Sequence, residues 1–113
     1  MSNVGLFKGG NTMRRHVLAT VGGRHDLPAF DVNFFDGAVE NPMDFDAIEN
    51  HVREVMTSLE PADASQAMFV VYVTGLTTVT TSVLKIAAEM HTNVTLMHYN
   101  RDTDDYEAQY FVF

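Results

Sequence analysis

Hydrophobic positions along the chain follow two rhythms. Short apolar runs fall at "RHVLATV" (Arg15–Val21, closed by Gly22-Gly23), "FDVNFF" (Phe30–Phe35, ending at the turn signal Asp36-Gly37), "MFVVYV" (Met68–Val73) and "NVTLMHY" (Asn93–Tyr99). Branched and aromatic residues bounded by turn formers predict strands. The second rhythm has steps of three and four. Phe45, Ile48, Val52, Val55, Met56 and Leu59 give one apolar face, predicting a helix. Asn41 suits its N-cap, Pro42 its first position, and Asp44 and Asp46 the positive end of its dipole. Glu49 and Arg53 make an i,i+4 pair on the polar side, and Pro61 stops the helix. A second helix is predicted from Thr78 to His91, with Val79, Val83, Ile86, Ala87 and Met90 inward.

The order of these elements sets the fold class. Strand, helix and strand within about 30 residues make a βαβ unit with an expected right-handed crossover. Met68–Val73 has no polar alternation, the pattern of a central strand covered on both faces. After the turn "NRDTDD", the tail "DDYEAQYFVF" folds back as an antiparallel strand. The expectation is a small Rossmann-like α/β single domain over residues 1–113. It has a mostly parallel sheet of about five strands, two main helices and a C-terminal antiparallel hairpin. Residues 1–13, with "KGGNT", read as a flexible lead-in or a short edge strand.

Bulk composition narrows the function classes. The 113 residues suit one domain, and 46% hydrophobic content suits a folded core. Fifteen acids against seven bases give a net charge of −8, which disfavours bulk DNA or RNA binding. Lys8, Arg14, Arg15 and Arg24 are the sequence's candidates for a local basic pocket. Without cysteine there is neither a disulfide nor a thiolate metal site. No apolar run reaches membrane-span length and no secretory h-region opens the chain, so a cytoplasmic location without membrane contact is expected.

Candidate chemistry lies beyond the carboxyl ends of the parallel strands, where open α/β sheets bind ligands. Gly22, Gly23, Arg24, His25 and Asp26 follow the first strand; Thr74, Gly75, Leu76, Thr77 and Thr78 follow the third; Asn100, Arg101 and Asp102 follow the fourth. On one rim these residues would form a local positive spot suited to an anion. Arg24 offers a planar fork for phosphate, His25 a proton carrier near neutral pH, and Gly75 close approach to the backbone. The stretch Thr74–Ser82 holds six hydroxyls. Thr77 or Thr78 reads first as a helix N-cap, but capping uses one hydroxyl and leaves Thr80, Thr81 and Ser82 unexplained. "GGRHD" reads equally as a surface turn. His98 alternates with Val94 and Leu96 toward a half-buried face, whereas His16, His51 and His91 read as surface residues. The histidines lack metal-ligand spacing, and neither a P-loop nor G-x-G-x-x-G is present.

The strand followed by "VTGLTTVTTS" and a helix resembles the second ligand-contacting motif of CARF-type Rossmann-like domains, which bind cyclic oligoadenylates and in some cases cleave them. The resemblance spans about half the chain, and lacks the second glycine and the lysine common in that turn. The short length is closest to stand-alone ring nucleases and phage nucleotide sponges. It implies a cyclic-oligonucleotide site at Gly22, Gly23, Arg24, Thr74, Gly75, Thr77 and Thr78, to which the rim reading adds Arg101 and, as the catalytic candidate for metal-independent cleavage, His25. It also implies a role in antiviral defence or anti-defence, with no cofactor. Two helices leave sheet surface uncovered, and a homodimer is expected through the tail or one sheet face. The competing expectation is a small acidic interaction or inhibitor protein of a phage or mobile element. That reading rests on the charge and the aromatic tail "YFVF".

Overall fold

A computed structural model describes residues 14–21, 32–36, 39–60 and 64–113. Among them, one five-stranded sheet runs in the order β2-β1-β3-β4-β5. The strands are β1 (Arg14–Val21), β2 (Val32–Phe35), β3 (Ala67–Tyr72), β4 (Asn93–Asn100) and β5 (Asp105–Phe111). The first four are mutually parallel, and β5 pairs antiparallel with β4 through the hairpin at Arg101–Asp104. Helix α1 (Phe45–Leu59) joins β2 to β3, and α2 (Thr77–Met90) joins β3 to β4. This is the small, mostly parallel α/β sheet with two helices and a C-terminal hairpin that the hydrophobic rhythm predicts. The 1–13 lead-in lies outside the described residues.

Register explains the core. Phe69 pairs with His16 and Val94, and Val71 with Leu18 and Leu96, so these side chains share one face. Ile48, Val52 and Met56 of α1 pack there with Val79, Val83, Ile86 and Ala87 of α2 in one buried cluster. Val55, Leu59 and Met90 border it, as expected, but Phe45 is 52% exposed. Helix α1 starts three residues later than predicted. Asp44 is its N-cap, accepting from the Ala47 amide at 3.2 Å, while Asn41 Oδ1 accepts from Met43 N in the turn before it. The predicted Glu49–Arg53 pair is replaced by bonds between helices: Lys85 Nζ to Glu49 at 2.8 Å, and Arg53 to Glu89 at 3.0 Å. At its other end α2 closes on His91 in the left-handed region (φ 53°), with Thr92 N donating to Ala87 O.

Both helices pack on this face, and among the described residues no helix lies on the other. Ala67, Phe69 and Val71 are buried, but Met68, Val70 and Tyr72 point to the other face and are only half-buried. A polar clamp closes the bottom of the helical layer. Glu60, 6% exposed, receives two bonds from Arg14 Nε and one from Arg14 Nη2, plus His16 Nε2 at 2.6 Å. The Arg14 bonds hold its carboxyl below the usual carboxylate range, against the opposing effect of burial.

Candidate functional site

The strand order creates a switch point. From β1 the chain returns as β2 on one side; from β3 it returns as β4 on the other. Connections diverging from adjacent parallel strands leave a crevice at their carboxyl ends, the usual ligand position in open α/β sheets. Strand order alone places that position where Val21 ends β1 and where Val73–Leu76 lead from β3 into α2. A buried clip fixes its floor. Thr74 Oγ1 donates to Val21 O at 2.7 Å and accepts from Val21 N at 3.1 Å; Thr74 N donates to Thr20 Oγ1 at 2.9 Å. Thr74 is 2% exposed, so its hydroxyl joins two strand ends and sits beneath the rim.

The remaining hydroxyls divide by task. Ser82 and Thr81 donate back to Thr78 O, at 2.7 and 3.2 Å. Neither Thr77 nor Thr78 caps α2: the N-cap position is Leu76, and no side chain caps this end. The helix therefore presents its first amides without a side-chain acceptor, a setting that favours negative charge. Thr78 Oγ1 and Thr80 Oγ1 are buried atoms with no hydrogen-bond partner, although a buried hydroxyl ordinarily has one. Gly75, Leu76 and Thr77 are exposed at the mouth.

Of the other predicted site residues, Gly22, Gly23, Arg24 and His25 lie outside the described residues, as does Lys8. Arg101 sits on the β4–β5 turn, at the same end of the sheet but among Asp102, Asp104 and Asp105. Arg14 and Arg15 begin β1 and so stand at the opposite end from the rim; they do not join a basic pocket there. His98 is satisfied by Gln109 Oε1 at 2.8 Å. His16 and His51 are not the simple surface residues expected. His16 bonds Glu60, and His51 donates from Nε2 to Phe34 O at 2.5 Å and packs on the Phe35 ring. Among the described histidines only His91 is exposed.

Sequence reasoning missed the Arg14–Glu60–His16 clamp, whose partners are 44 and 46 residues apart and carry no local spacing signal. It also missed the Tyr99 hydroxyl donating to Asp104 at 2.5 Å, a bond that raises the Tyr99 pKa and ties the hairpin turn. Among the described residues no three His, Asp or Glu side chains converge to hold a metal ion. No described helix is long and apolar enough to cross a membrane. No family model, curated protein or solved structure matches the chain.

Proposed function

We propose that the chain binds a nucleotide or cyclic oligonucleotide at the carboxyl-end crevice between β1 and β3. The observation that carries this reading is the uncapped start of α2 at a topological switch point, with Thr78 and Thr80 hydroxyls left without partners beside it. A phosphate there would accept from the first amides of α2 and gain from the helix dipole. Gly75 leaves room for the backbone approach, and Thr77 stands at the mouth. Arg24 in the loop after β1 is the sequence's candidate for the counter-charge, and the acid-rich turn makes Arg101 a weaker one. The resemblance to CARF-type domains supports a cyclic oligoadenylate as the ligand and a cytoplasmic homodimer as its binder.

Sequestration is the simplest form of this activity. In the cleaving form, a ribose 2′-hydroxyl attacks the adjacent phosphorus and the P–O5′ bond breaks. His25 takes the hydroxyl proton, and the 5′-oxygen leaves as a hydroxyl after protonation. The test is thermal melting with a panel of mononucleotides and cyclic oligoadenylates. A true ligand at 100 times its Kd adds about 2.7 kcal/mol, or about 10 °C in Tm for a domain of this size. Gly75→Val should remove that shift, and Arg24→Ala should reduce it and its salt dependence. His25→Ala should abolish cleavage and keep binding. A panel without any shift removes the proposal. The interaction-protein reading would then lead, supported by Tyr110 and Val112, 74% and 81% exposed on the edge strand and tail.

A further inference from the structure

The sheet face opposite the helices carries a groove of about 370 Å³. Its floor is Val17, Met68 and Val70, and its far side Met97, Ala108 and Tyr110. Strand alternation places these residues there: Arg15, Val17, Met68 and Val70 occupy the positions between those that face the helices. Among the described lining residues Arg15 is the only charged side chain. Among the described residues it has no hydrogen-bond or ion-pair partner, whereas Arg14, Arg53 and Lys85 are each bonded to a carboxylate. No described acid lines the groove, in a chain of net charge −8.

We propose that this groove binds a small amphipathic anion, an aromatic or aliphatic body carrying one acidic group, with that group on Arg15 and the body over Val70 and Met97. Size and charge favour this occupant. The volume falls in the range of small-molecule sites, roughly 300–1,000 Å³. From Arg15 to Tyr72 the face runs about 13 Å along the strands, and from β1 to β5 about 14 Å across them. That footprint of ~180 Å² is far below the ~800 Å² per partner that a stable dimer buries. An unpaired guanidinium beside an apolar floor selects an anion whose remaining surface is apolar. The groove lies on the other face from the α2 amides, so its occupancy is independent of the rim site.

The probe is 8-anilinonaphthalene-1-sulfonate, compared with N-phenyl-1-naphthylamine, which has the same apolar body without the sulfonate. Folded wild-type protein should bind the sulfonate saturably at one site with blue-shifted emission, and the neutral dye about tenfold more weakly. Arg15→Gln should bring the sulfonate down to the neutral dye's affinity. Ala108→Trp should fill the groove and abolish both, with an unchanged circular dichroism spectrum; Tyr110→Ala serves if that variant does not fold. Equal affinity for the two dyes, insensitive to Arg15→Gln, would overturn the proposal. So would wild-type binding by folded Ala108→Trp. A dimer in sedimentation that dissociates as the sulfonate binds would mean that a second copy covers this face, and would overturn it too.

Discussion

Replacing Thr74 by valine nearly keeps the side-chain volume and removes one hydroxyl. The structure makes that hydroxyl the hinge pin between two parallel strands. It donates to Val21 O at 2.7 Å and accepts from Val21 N at 3.1 Å, in a place with almost no solvent. Valine leaves both backbone groups without this partner and too buried for water to replace it. A buried donor or acceptor left unsatisfied costs about 1–3 kcal/mol, so Thr74→Val should lose about 3 kcal/mol. Against a total of roughly 5–15 kcal/mol that is a large share. In urea, with m near ~1.5 kcal/mol/M, the midpoint should fall by ~2 M while m stays the same. Thr20→Val breaks the companion bond from Thr74 N at 2.9 Å, and the two hydroxyls lie 3.3 Å apart. The double variant should therefore lose less than the sum of the singles. A Thr74→Val protein within 0.5 kcal/mol of wild type (about the scatter of surface changes) that had lost nucleotide affinity would refute the clip and make Thr74 a ligand contact.

Three further outcomes follow from the same geometry. Val71→Asp should give no cooperative urea transition, because Val71 is fully buried in β3 and an unpaired carboxylate there costs more than about 4 kcal/mol. Thr77→Ala should change stability by less than about 0.5 kcal/mol in the same assay, since no side chain caps α2; a loss above 1 kcal/mol would restore Thr77 as a cap. Glu60 has a folded pKa below its unfolded value, so its stabilisation is complete above the unfolded pKa and is lost as pH falls through the folded one. Melting from pH 7 down to pH 3 should show wild type losing more stability than Glu60→Gln, and parallel curves would mean that Arg14 and His16 do not hold the charged carboxyl.

Some of this was readable in the sequence, and the misreadings have physical causes. The apolar steps of α1 and α2 and the strand runs located both helices and the four parallel strands, because each buries one stripe or one alternate set. All six residues of the run Met68–Val73 are apolar, yet only alternate ones lie under the described helices. Residue type does not separate an apolar face under helices from an apolar face lining a groove; only the register and the helix positions do. Asn41 and Asp44 are both good N-caps three residues apart, and the bond to Ala47 N decides between them. Glu49 and Arg53 had the right spacing for each other, yet both found partners on α2, a contact that no local pattern encodes. At the rim, the hydroxyl-rich turn was legible as a place of interest. That Thr74 points inward and Thr78 and Thr80 lack partners depends on the ends of β1 and β3 lying side by side.

The proposed position for a ligand phosphate is the start of α2. Its most direct test is a titration of ¹⁵N-labelled protein with cyclic tetra-adenylate, following amide shifts by NMR. Saturable changes should be largest at Gly75, Leu76, Thr77, Thr78 and Val79, with downfield movement of the first helical amides as they gain an anionic acceptor, and no such pattern in Gly75→Val. Unshifted amides at Gly75–Val79 at millimolar ligand, or changes centred on β4 and β5, would contradict it.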